Sequence, residues 1–142
     1  MAYLFPRGIE GGLVTLLRPE TRLSLTAVDD IGRVAAAAIA APQRFDGVEL
    51  ELASDYLSVT KIAKVLSRIL GGQLSAPDMT EQEALAAGMP AMGASHKWLN
   101  VSGQPGRPQF VRHFGIPLTS LAEWAQEHMQ ANGGHIWASG QE

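Results

Sequence analysis

The chain has 142 residues, 46% apolar and 18% charged, with a net charge of −3 at pH 7. That length suits one domain with its own core, and low charge beside ample apolar content excludes a disordered chain. No basic surplus exists to neutralise phosphates, which excludes a nucleic-acid binder, and the absence of cysteine excludes disulfide frameworks, thiolate nucleophiles, zinc–thiolate sites and iron–sulfur clusters.

In chain order, residues 1–12 read as irregular and end in the turn-prone Gly8-Ile9-Glu10-Gly11-Gly12. Leu13 to Leu17 is a short β-prone run stopped by Arg18-Pro19, and Leu23 to Val28 alternates enough to predict a second short strand. Asp29 and Asp30 open a helix, Asp29 as its cap and Asp30 facing the positive helix end. Ile31, Val34, Ala35, Ala38 and Ile39 then fall at helical spacing, and Pro42 stops the helix near Ala41. After a turn at 43–47, Val48-Glu49-Leu50-Glu51-Leu52-Ala53 alternates cleanly and predicts a strand. Ser58 opens a helix with the stripe Ile62, Val65, Leu66 and Ile69, closed by Gly71-Gly72. Gln73 to Ala76 predicts one more short strand, which makes 48–76 a β-α-β unit.

Thr80-x-x-Glu83 and Ser120-x-x-Glu123 are capping-box patterns. The first opens a helix ended by Gly88. The second opens the last helix, with the stripe Leu121, Trp124, Ala125, His128 and Met129, stopped by Gly133-Gly134. Between them, residues 88–106 form either a long loop or short helical pieces, and Arg107 to Phe114 reads as helical. Residues 1–134 therefore read as one domain and 135–142 as a flexible tail. The N-terminus is too short and interrupted for a signal peptide. The longest apolar run, Val34 to Ala41, is far short of the roughly 20 residues that span a membrane, so a soluble, cytoplasmic protein is expected.

Known chemistries leave few matches. No two of the 15 glycines are spaced by two, so no Gly-x-Gly-x-x-Gly turn exists for a pyrophosphate. Gly88 and Gly93 have the outer spacing of a P-loop, but Ala94-Ser95 stands where its lysine would be. His96, His113, His128 and His135 make no zinc motif, so no metal site is expected. Tyr56 has Thr60, not lysine, four residues on. Asp29/Asp30 and Glu81/Glu83 are the acidic pairs, and both are explained by helix starts. No catalytic residue is assigned. Trp98, Phe110, Phe114 and Trp124 gather in the last third of the chain, as core or as a pocket wall.

One long stretch is more specific. It runs Ala27-Val28-Asp29-Asp30-Ile31-Gly32 before an alanine-rich helix, then Phe45-Asp46-Gly47 through Leu52-Ala53-Ser54-Asp55, then Leu57-Ser58-Val59-Thr60-Lys61-Ile62-Ala63. Gly8 to Gly12 before it and Phe114 to Trp124 after it continue the pattern. Residues 4–130 resemble the C-terminal half of NmrA-like proteins, atypical relatives of the short-chain dehydrogenases. The resemblance implies an α/β fold, the C-terminal substrate lobe of a Rossmann protein, helix-rich with a small mixed sheet. It implies that the NAD(P)-binding half has no counterpart in this chain, and hence no cofactor residue and no NAD(P)H bound by this chain alone.

Two functions follow as expectations. In the first, the chain is a non-catalytic substrate- or regulator-binding lobe acting by association, as a homodimer or with a separate nucleotide-binding chain, with 48–53 as its free edge. In the second, it is part of an NAD(P)H-dependent reductase for a quinone or similar small substrate, or a module for a small apolar ligand. Phe5, Met92, His96 and Trp98 are then the pocket candidates.

Overall fold

The structure, a computed structural model, describes residues 5–7 and 11–130, the side chains of Met92 and Gln130 excepted. Among them, two short strands are surrounded by helices. β1 (Arg22–Leu25) leads into α1 (Val28–Ala40) and the single turn α2 (Pro42–Phe45), and β2 (Asp55–Ser58) leads directly into α3 (Val59–Leu70). Then come α4 (Glu81–Ala86), a 3₁₀ stretch (Ala91–Trp98), α5 (Leu99–Ser102), α6 (Pro108–Arg112) and α7 (Leu121–Ala125), which continues as a π-helical turn to Gln130. The α/β, helix-rich class agrees with expectation, but the sheet is a two-stranded antiparallel pair rather than a mixed one. Its register sets Arg22 opposite Ser58 and Leu25 opposite Asp55.

The helix signals translate well. Ser58 accepts from the Lys61 N–H at the start of α3, and Gly71 ends it at φ 70°, where any side chain would be strained. Both capping boxes form, with Glu83 returning to the Thr80 N–H and Glu123 to the Ser120 N–H. α1 stops at Ala40 because Ala41 precedes a proline and sits at φ −139°. One detail differs. The cap of α1 is Ala27, not Asp29, and its backbone N–H donates to Ser54 Oγ at 3.0 Å.

Three predicted strands are absent. Val48 to Ala53 joins no ladder. Pairing with β1 begins at the Ser54 N–H, which reaches Leu25 O at 2.7 Å, and beyond Leu25 the chain turns into α1 and offers no partner. Gln73 to Ala76 folds back on α3, because Ser67 Oγ both accepts from the Leu74 N–H and donates to Leu74 O, so no β-α-β unit forms. Leu13 to Leu17 is wholly buried without being a strand. It threads between three core clusters, Leu13 joining one, Val14 and Leu16 the second and Leu17 the third. Burial on every side explains its unbroken apolar run. Asn100 satisfies part of its backbone by donating to Leu16 O, and its amide oxygen receives the Arg18 N–H and the Thr21 hydroxyl.

The main cluster packs Ile62, Ala63 and Leu66 of α3 against Leu121, Ala125 and Met129, with Phe5 and Leu13 beside them. Gly106 lies so close to Leu52 O that an added Cβ would approach it to 2.9 Å. That close approach lets the 104–107 segment cover the outer edge of β1, where Ser24 N–H donates to Gln104 Oε1 and Ser24 Oγ to Gly106 O.

Candidate functional site

The site begins with three consecutive backbone N–H groups at the start of α7. Thr119 donates to Asp30 Oδ2 at 2.8 Å, Ser120 to Glu123 Oε2 at 2.8 Å, and Leu121 to Asp55 Oδ2 at 3.2 Å. The bonds to Asp30 and Asp55 tie the incoming segment to α1 and β2, while the bond to Glu123 closes the capping box of α7 itself. Asp30 is completely buried, the one buried residue of α1. Its Oδ1 receives Arg33, and the Thr119 hydroxyl both accepts from Arg33 at 2.9 Å and donates to Asp30 at 3.0 Å. Burial pushes the Asp30 carboxyl up. Hydrogen bonds from the Ser54 hydroxyl and from the Thr119 N–H and hydroxyl, with the Arg33 charge, outweigh it and leave the group below its ordinary value.

This junction forms the floor beside a cavity of about 160 Å³. Its walls are Leu25, Val28, Leu121 and Trp124, and Asp55 is the charged side chain on them. A neighbouring hollow of about 250 Å³ continues past Val28 and Trp124 to Asp29, Glu127 and His128. His128 stacks on Trp124 with ring centres 5.1 Å apart. Its Nδ1 lies 2.9 Å from Trp124 O. A third cavity of about 450 Å³ lies between Asp78, Glu81, Lys97 and Asn100, with Lys97 and Glu81 3.7 Å apart.

α1 carries the other unusual surface. Its stripe of Ile31, Val34, Ala35, Ala38 and Ile39 has helical spacing, yet Val28 is 78% exposed, Ile31 51% and Ile39 82%. Apart from Asp30 the helix buries no residue.

The pocket candidates named from sequence are not brought together. Phe5 belongs to the main core cluster. His96 and Trp98 lie on the 3₁₀ stretch, Trp98 58% exposed, and neither lines the three cavities above. Met92 is on the same stretch, and its side chain lies outside the described residues, as does the tail 135–142. The aromatic residues of the last third divide among different roles. Phe114 stacks on Phe45 at 4.6 Å, Phe110 is exposed, and Trp124 alone of the four lines the cavity beside α1. Asp55 and Thr119 fall within the stretches that carry the family resemblance, but nothing in the sequence assigns them a site role: Asp55 opens β2, Thr119 stands before the α7 cap, and Thr119 meets Asp30 across 89 positions of chain.

Among the described residues no three His, Asp or Glu side chains are placed to hold a metal ion, and no helix is long and apolar enough to cross a membrane. The starts of α1 and α7 are poor seats for a pyrophosphate. Asp29 and Asp30 occupy the first turn of α1, and carboxylates already take the N–H groups at the start of α7.

No curated protein matches the chain. The model of the NmrA-like family matches residues 7–100. That span takes in the Val28-Asp29-Asp30 start of α1, α3 and the first capping box, and leaves Phe114 to Trp124 outside it. By this match over most of its length, the chain belongs to the NmrA-like family.

Proposed function

We propose that these residues form the substrate-side, C-terminal lobe of an NmrA-like fold, and that the chain acts by association rather than by catalysis of its own. The observation that carries this reading is the bare apolar stripe of α1. Burying a Val or Ile side chain contributes about 1.5–3 kcal/mol, so leaving Val28, Ile31 and Ile39 in water forfeits a large stabilisation that a partner recovers. The occupant we infer is a second copy. From Val34 to Ala40 the helix bears no charge, so a two-fold pairing brings no like charges together there, and its alanines allow close approach.

Light scattering of the full chain at micromolar concentration tests this. A dimer is expected, and Ile39→Glu should make it a monomer that keeps the wild-type far-UV circular dichroism and melts somewhat lower, since it loses the stabilisation of pairing. A monomeric wild type overturns the second-copy reading. If that monomer then binds a separate nucleotide-binding chain of the family, association stands with a different occupant.

A reading as part of an NAD(P)H-dependent reductase draws support from the family alone. A small-ligand role has a specific observation behind it, the cavity beside α7.

A further inference from the structure

We propose that the cavity between the β1–α1 turn and the start of α7 binds a small organic amine, a protonated nitrogen on a compact aromatic or branched apolar body. The size comes first. A cavity of about 160 Å³ matches the engineered cavity of about 150 Å³ that holds a benzene. Its walls suit that body, since Leu25, Val28, Leu121 and Trp124 present hydrocarbon and an indole ring.

The polarity of the ligand follows from which hydrogen-bonding capacity is already spent. The N–H groups of Ala27, Ser54, Thr119, Ser120 and Leu121 all donate to acceptors within the chain. So do the hydroxyls of Thr26, Thr119 and Ser120. A carboxylate or phosphate would find these donors occupied, which leaves it the Trp124 indole N–H as the side-chain donor of the wall, facing the repulsion of Asp55. Acceptors remain. Among the described residues Asp55 receives the Tyr56 and Leu121 N–H groups, and an ionised carboxylate has about four acceptor positions. The charge around the cavity has the same sign. Asp55 is the charged group on its wall, and in the adjoining hollow Asp29 and Glu127 accompany Arg33, which is already engaged by Asp30. An ammonium group beside Asp55, with its body against Leu121 and Trp124, satisfies both walls. This site is separate from the α1 stripe, and its test does not depend on the oligomeric state.

The experiment is an amide-resolved NMR titration of the full chain with benzylamine, protonated at pH 7, with benzyl alcohol and benzoate as neutral and anionic isosteres. Benzylamine should give saturable shifts at Leu25, Leu121 and Trp124 with a Kd of about 1 mM or tighter. Benzyl alcohol should bind at least about tenfold more weakly, and benzoate should give no saturable shift at those residues. Thr26→Trp places an indole on the exposed rim and should abolish the shifts without lowering the melting temperature. Asp55→Asn should weaken the amine at least about tenfold and leave the alcohol unchanged. Benzoate binding as tightly as benzylamine, no saturable benzylamine shift, or benzylamine shifts unaltered in Thr26→Trp would each overturn the proposal.

Discussion

Asp30 shows how much one side chain organises. It is fully buried, yet it holds the Thr119 backbone, the Thr119 and Ser54 hydroxyls and the Arg33 guanidinium. A buried carboxylate is tolerable only with partners of this kind. Asp30→Asn keeps one acceptor but loses the charge and half of its receiving capacity. Arg33 is 44% exposed and can turn to water, so the expected cost is about 2 kcal/mol, read from the shift of the denaturant midpoint at pH 7. The same carboxylate sets a pH dependence. Its folded-state pKa lies below its ordinary value, as do those of Glu83, lowered mainly by the Thr80 N–H, and Glu123, lowered mainly by the Ser120 hydroxyl. Groups lowered on folding give stability that is complete above the unfolded pKa, about 4 for carboxylates, and lost as pH falls through the lowered native values. Stability should therefore be flat from neutral pH to about 5 and fall steeply below about 4. In Asp30→Asn that acid limb should be shallower. An unchanged limb, measured by urea midpoints across pH, would remove Asp30 from the account.

Elements with local instructions were legible. Ser58, Gly71, Thr80, Glu83, Ser120, Glu123 and Pro42 each act within one turn of their own position, through a cap, a positive φ or a missing N–H. The stripe Ile62, Val65, Leu66 and Ile69 did find a core. The α1 stripe had the same periodicity and found none, because spacing states which residues share a face and not whether anything covers it. Strand pairing was less legible still. Val48 to Ala53 alternates better than Asp55 to Ser58, but a strand exists only where another offers its edge, and the four residues of β1 end opposite Asp55. A cap prediction belongs at this scale. Ser120→Ala removes the hydroxyl that accepts the Glu123 N–H and should cost about 1 kcal/mol. Because α7 walls the cavity, it should also broaden the amide signals of 119–124 in NMR spectra before global unfolding. Uniform loss of stability with no local broadening would make the box an ordinary cap.

At the scale of the whole molecule, the family assignment and the site pull in different directions. NmrA-like proteins are an NAD(P)-binding family, while the donors expected to meet a pyrophosphate are absent from the sequence motifs and already spent at the start of α7. Titration of the chain with NADPH should show no micromolar binding by calorimetry. A Kd in that range would mean a phosphate cradle built from groups other than these.

The sequence alone determined the class of the molecule: its family, its main helices, the caps of α3, α4 and α7, and the absence of cysteine. Each depends on residue type or on contacts within a few positions. Only the tertiary structure decided that Phe5 is core, that Asp30 and Asp55 clamp α7, and that α1 presents its apolar face to water. Those outcomes rest on pairs such as Asp30 and Thr119, 89 residues apart, and no local pattern encodes which distant group will close on a given side chain.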